Sequence, residues 1–195
     1  GLKSPLSCLT QARYGIAWGA VGAAMACYDE ALQYSRNRIM FDRPIGQTQI
    51  QQVRLAEMLT EITKAQCLAL QLGRLKEAGR ATSQQVSMAK MNNCSVAREC
   101  ARLGREILGA SGITDEYQVG RHLCNIESVY TYEGTHDIHT LIVGQDVSWE
   151  QAAQQARVRI GNLIARRLDA FQNRTQYLWA RGNQLAAVSI AALLT

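Results

Sequence analysis

The chain has 195 residues and a formal net charge of +5, from 21 Lys and Arg against 16 Asp and Glu. Hydrophobic residues make up 47% and charged residues only 19%, so apolar burial can offset chain entropy and intrinsic disorder is excluded as the main state. With two prolines and 6% aromatics, a many-stranded sandwich or barrel is excluded as well.

At roughly 100 to 200 residues per domain, this length allows one large helical domain or two small ones. The six cysteines (Cys8, Cys27, Cys67, Cys94, Cys100, Cys124) are scattered singly, without C-x-x-C spacing, and read as free buried thiols in a reducing compartment. The longest early uncharged run, Tyr14–Tyr28, falls short of the roughly 20 residues that a membrane span needs. The first residue is Gly1, not Met, as expected of a domain cut from a longer chain.

Helical periodicity leads from the start. Leu9, Ile16, Val21, Ala24, Met25 and Leu32 recur at threes, fours and sevens, predicting a helix from a Ser7 cap to about Arg36. Gly15, Gly19 and Gly22 on that helix suggest close packing against a neighbouring one. Residues 42–46 predict a turn, followed by a second helix from Thr48 to Lys76 carrying Val53, Met58, Leu59, Ile62, Leu68, Leu72 and Leu75, with Gly79 as its stop. Thr82 or Ser83 caps a third helix to about Leu108, with Val86, Met88, Met91 and Val96 as its apolar residues. Three long amphipathic helices with short loops define an all-α, up-down helical bundle. Shorter helices are expected over 118–128 and 135–147.

Residues 149–195 differ in composition, with ten alanines, six glutamines, six arginines and no lysine, and read as a helical C-terminal extension to a 1–148 bundle, the alternatives being a flexible or altered C-terminus and a basic surface. Its arginines interleave with apolar residues as on a basic amphipathic helix, but no nucleic-acid module surrounds them. The extension carries +4 of the net charge, leaving residues 1–148 nearly neutral.

Polar groups concentrate in the run Tyr130-Thr131-Tyr132-Glu133-Gly134-Thr135-His136-Asp137-Ile138-His139. Gly134 permits a backbone conformation denied to other residues, Thr135 can cap the next helix, and Asp137 complements that helix's dipole. Such a turn would lift the Glu133 carboxylate out of the helix and hold it at a helix junction. A carboxylate pressed against an apolar ligand loses hydration and becomes a better general base. Two other chemistries use neighbouring residues: a metal held by Glu133, His136 and His139, and a Cys124 and His122 nucleophile pair. The first lacks the H-E-x-x-H spacing and the second lacks an orienting group, so the assignment is no metal and no thiol chemistry.

Four motifs resemble one family. Arg38-Ile39-Met40-Phe41 with Gln49 eleven residues after the arginine, then Leu108-Gly109-Ala110-Ser111-Gly112-Ile113, Asp115-Glu116-Tyr117, and Tyr132-Glu133-Gly134-Thr135 are similar to the C-terminal helical domain of flavin-dependent acyl-CoA dehydrogenases. Ala12–Gly19, Asn92-Asn93-Cys94 and Tyr132–His139 look most like the glutaryl-CoA dehydrogenase branch. The resemblance covers residues 6–147. It implies α,β-dehydrogenation of a short dicarboxylic acyl-CoA thioester, with Glu133 as the proton-abstracting base and FAD as hydride acceptor.

By the same resemblance, Arg38, Phe41, Gln49, Glu106, Gly109, Thr135 and Asp137 contact FAD, with Arg38 reaching the pyrophosphate of a neighbouring subunit. Arg13, Tyr132 and Gly134 face the acyl-CoA. The implied partners are an electron-transfer flavoprotein and copies of the chain in a homotetramer, without nucleic acid. The implied setting is lysine and tryptophan degradation in a bacterial cytoplasm or a mitochondrial matrix. Departures accompany the match: Glu106 stands where the family often has Gln, Ala110 replaces a second glycine, and Asp42 replaces the glycine after Phe41. The family's N-terminal helical domain and central β-domain have no counterpart here, so the chain is expected to be inactive by itself.

Overall fold

A computed structural model describes Gly1 and residues 3–148; the expected 149–195 extension lies outside the described residues. Among the described residues five helices form: α1 (Lys3–Asn37), α2 (Gln49–Glu77), α3 (Ser83–Leu108), α4 (Gln118–Thr131) and α5 (His136–Ser148). Between α1 and α2 lies a hairpin of β1 (Ile39–Met40) and β2 (Arg43–Pro44), antiparallel with Ile39 opposite Pro44 and Met40 opposite Arg43. The architecture is the all-α, up-down bundle expected from the pattern of long helices and short connections.

α3 lies at the centre, packed against α1, α2 and α4. Its buried stripe runs through Val86, Ala89, Lys90, Asn93, Cys94, Ala97, Cys100, Ala101 and Gly104. The facing residues are small: Ala17, Ala20, Ala24 and Ala31 on α1, and Ala65 and Ala69 on α2, are all at most 3% exposed. Small side chains let helix axes approach closely, and one polar residue uses that closeness. Asn93 Nδ2 donates to the carbonyls of Ala17 (3.0 Å) and Ala65 (3.3 Å), joining three helices at one buried amide.

Helix ends follow local chemistry. Thr82 and Gln85 form a reciprocal capping box at the start of α3. Gly79, at φ +65°, closes α2, with Arg80 N donating back to Leu75 O at 2.8 Å. The amides of Gln118 and Val119 have no intrahelical partner at the start of α4; the Glu30 carboxylate of α1 accepts both, at 2.8 and 2.7 Å.

Four expectations are corrected. Cys27, Cys94 and Cys100 are buried free thiols, but Cys8, Cys67 and Cys124 are exposed. Ser7 lies inside α1, which begins at Lys3. Gly15, Gly19 and Gly22 are exposed, with nothing within 4 Å of an added Cβ, because the α1 stripe facing the bundle is the alanine one. Met25, Val53, Leu59 and Met88 are 41–55% exposed, on faces turned away from that core. A helix that is apolar on more than one face satisfies a three-and-four pattern in several directions, and the pattern does not say which face meets the bundle.

The turn expected at 42–46 is the hairpin with a 3-10 turn after it, at Ile45–Gln47. Its corner residues Phe41 and Asp42 both adopt left-handed backbone, at φ +53° and +63°, as a two-residue hairpin of primed type requires. Phe41 projects from it 88% exposed. α4 and α5 run three and one residues beyond their expected ends. Among the described residues, no helix is long and apolar enough to cross a membrane.

Candidate active site

The turn between α4 and α5 carries the polar run. Glu133 and Gly134 both have positive φ, +58° and +100°. For glutamate that backbone is costly, and it persists only where the surroundings enforce it. Gly134 is required twice over, since an added Cβ would stand 3.0 Å from His139 Nε2 and 3.2 Å from Arg13 Nη2. Downstream, Thr135 Oγ1 accepts the Ile138 amide at 3.3 Å, and Asp137 sits in the first turn of α5, as expected.

Two cations hold this turn by its carbonyls. Arg13 Nε, from α1, donates to Glu133 O at 2.7 Å. Lys90 Nζ, from α3, donates to Gly134 O at 2.9 Å and Tyr130 O at 3.3 Å. Lys90 is 1% exposed, and burial lowers its pKa. His139 fills the space beneath Gly134, fully buried, its pKa pushed down to about 4 by burial, then by Lys90 and Arg13. Both donors take backbone carbonyls of this segment, Arg13 that of Glu133 itself, while Oε2 of the Glu133 carboxylate is buried and accepts no hydrogen bond. A carboxylate oxygen with free lone pairs, on a rigid turn, is suited to accept a proton from a bound ligand.

The metal arrangement is not formed. His136 stacks flat on Tyr130, centroids 4.7 Å apart, while His139 lies among the cations Arg13 and Lys90, which oppose a third positive charge. Among the described residues, no group of three His, Cys, Asp or Glu could hold an ion. Cys124 and His122 share α4 two residues apart, so they point to opposite sides and form no pair.

A second cluster lies at the other end of α1. A cleft of about 330 Å³ is lined by Arg38, Glu106 and Gly109, with Tyr34, Gln51 and Ser111 among its other walls. Gly109 has φ +61° and ψ −130°, a conformation reserved for glycine. Among the described residues, the Arg38 guanidinium has no carboxylate partner. Glu106 is committed, pairing with Arg54 at 3.3 Å and with Arg102. Gln51 Oε1 is buried without a donor. Phe41 and Gln49 do not line this cleft; both are exposed, on the hairpin corner and at the first position of α2.

Two groups therefore emerge from one set of expected site residues. Arg13, Tyr132, Glu133, Gly134, Thr135 and Asp137 gather around the α4–α5 turn. Arg38, Glu106 and Gly109 gather near the C-terminal end of α1, with Phe41 and Gln49 on adjoining surface. At 1.5 Å per residue, Arg13 and the end of α1 at Asn37 are separated by about 36 Å along one helix.

Lys90, the neutral role of His139, and Gln51 were not identified as site residues from sequence. For Lys90 a signal existed: it falls four after Val86 and three before Asn93, on the buried stripe of α3, where an unpaired lysine is rare.

A helical bundle with one buried, unpartnered carboxylate oxygen on a left-handed turn is the class defined so far. The sequence profile described as acyl-CoA dehydrogenase, C-terminal domain, matches residues 1–148, and the chain belongs to that family. A crystal structure of glutaryl-CoA dehydrogenase from Mycobacterium smegmatis is 54% identical with a TM-score of 0.74, covering 75% of this chain and 38% of that one. A second from the same organism, in complex with FADH2, is 44% identical with a TM-score of 0.75, covering 76% and 38%. Among curated relatives, glutaryl-CoA dehydrogenase of Desulfococcus multivorans is 34% identical over 147 residues, 75% of this chain and 38% of that protein. The chain thus spans about two fifths of the length of these relatives.

Proposed function

We propose that this chain is the C-terminal domain of an FAD-dependent dehydrogenase acting on glutaryl-CoA or a similar short dicarboxylic acyl-CoA, with Glu133 as the base. The buried, unpartnered Oε2 of Glu133 on its enforced turn carries this assignment. Support for the substrate comes from the names of the similar proteins above. Support for the cofactor comes from the FADH2-containing relative and from the fit of the second cluster: a guanidinium without a carboxylate partner presents two parallel donors to a pyrophosphate, beside a glycine-only backbone and an orphaned amide oxygen.

In this assignment Glu133 Oε2 takes the proton from the carbon next to the thioester carbonyl, a proton made acidic by that carbonyl. FAD, when bound, supplies the acceptor for the hydride leaving the β-carbon. Arg13 and Lys90 leave the carboxylate free by binding only backbone. Tyr132, 48% exposed beside the base, and Gly134 face the acyl-CoA, while Thr135 and Asp137 sit toward the flavin.

The separation of about 36 Å along α1 is too long for one copy's Arg38 to serve the flavin next to its own Glu133 by side-chain reach. On this reading Arg38 serves the flavin of a neighbouring copy, together with Phe41 and Gln49 on the exposed hairpin and the start of α2, in the tetramer that the family resemblance implies. Electrons leave to an electron-transfer flavoprotein. Relatives include bacterial proteins and the human mitochondrial short-chain specific acyl-CoA dehydrogenase, 30% identical over 143 residues, in keeping with a bacterial cytoplasm or a mitochondrial matrix.

Glu133→Gln in the complete FAD-loaded enzyme tests the base. The flavin stays bound and yellow, while its anaerobic bleaching by glutaryl-CoA slows by roughly 10² to 10⁴-fold, the usual worth of a positioned base. Bleaching at the wild-type rate would remove Glu133 from the chemistry. A folded enzyme that takes up no FAD would instead favour a non-catalytic oligomerisation module, for which the exposed apolar residues Phe41, Ile50 and Val53 would be the docking surface.

A further inference from the structure

We propose that Lys90 is a positioning residue for the base: its buried ammonium ties the carbonyls of Tyr130 and Gly134 together and so fixes the turn that presents the Glu133 carboxylate. This rests on Glu133 being the base. The two bonds, 3.3 and 2.9 Å, bracket Glu133 in the chain, and the bond from Arg13 to Glu133 O, 2.7 Å, falls between them. Tyr130 O belongs to the last turn of α4, whose carbonyls lack intrahelical donors, and Gly134 O belongs to the left-handed turn itself. Lys90 thus joins a helix end to the strained segment that follows it, from a position anchored in the central helix.

The chemistry of the position excludes simple packing as its explanation. An ammonium 1% exposed pays a desolvation cost, and among the described residues no carboxylate forms an ion pair with it. Methionine would fill the same volume without that cost. What lysine adds is donors for two carbonyls at part-buried positions, with a positive charge near enough to interact with the Glu133 carboxylate.

The test uses the complete FAD-loaded enzyme carrying Lys90→Met, with two readouts: amide hydrogen exchange, and the rate of flavin reduction at saturating glutaryl-CoA. Exchange over 130–136 is expected to rise about tenfold or more while the helices around Asn93 keep their protection. Reduction should fall by roughly 10 to 10²-fold, the effect of a small misplacement of a reacting group, with half-saturation nearly unchanged. Unchanged exchange over 130–136, or equal loss of protection in turn and core, overturns the proposal.

Lys90→Gln, which keeps shorter N–H donors without the charge, is the second variant. It should lie between wild type and Lys90→Met in both readouts; behaviour equal to wild type in both overturns the role of the charge and the reach. Failure of the base assignment is separable, because it would show as Glu133→Gln reducing flavin normally. A loosened turn with normal reduction in Lys90→Met, beside an inactive Glu133→Gln, overturns positioning alone.

Discussion

His139 is neutral in the folded domain, its pKa pushed down to about 4 by burial, then by Lys90 and Arg13. In the unfolded chain the same imidazole takes up a proton near pH 6.5. Between these values the unfolded state binds the extra proton, so this residue's contribution makes stability fall as pH drops from 6.5 toward 4, levelling below that. The full effect is about 3 kcal/mol. Urea unfolding at pH 7 and pH 4.5 isolates it when wild type is compared with His139→Leu: the variant should lose less stability on acidification. Equal losses would mean that the imidazole is protonated inside the fold.

At this scale the sequence was legible where a residue's role is local. Thr135 as a cap, Asp137 in a first turn and Gly134 at positive φ follow from chain neighbours. Lys90, Arg13 and His139 meet across separations of tens of residues, and only the packing of α1, α3 and α5 brings them to one turn.

Elements were more legible than their faces. Thr82 and Gln85 announce the start of α3, and Gly79 the end of α2, because capping chemistry acts over three or four residues. The start of α4 has no such marker, since its cap is Glu30, 88 residues earlier. Glu30→Ala should cost about 1 to 2 kcal/mol, from the loss of two charge-assisted bonds to helix N-terminal amides. A shift in urea midpoint, accompanied by faster exchange of the Gln118 and Val119 amides, would show it; an unmoved midpoint would mean that water caps this end as well. The glycine face of α1 and the apolar residues Val53 and Leu59 of α2 were misassigned for one reason. Periodicity identifies a helix that must bury something, and does not identify what covers each face.

For the molecule as a whole, the basic charge of the full sequence sits mainly in 149–195, leaving a nearly neutral bundle. That bundle carries the Glu133 turn and the Arg38 cleft about 36 Å apart along α1, and in the function proposed above the two combine into one flavin site only between copies. Co-assembly of two inactive variants tests this most directly. Glu133→Gln lacks the base, Arg38→Ala lacks the pyrophosphate donor, and each alone should fail to reduce flavin with glutaryl-CoA. In mixed assemblies, a site whose base comes from the Arg38→Ala copy can take its arginine from the Glu133→Gln neighbour, so random mixing should restore about one site in four. Mixed assemblies that stay as inactive as either variant would contradict a flavin site shared between Glu133 of one copy and Arg38 of the next.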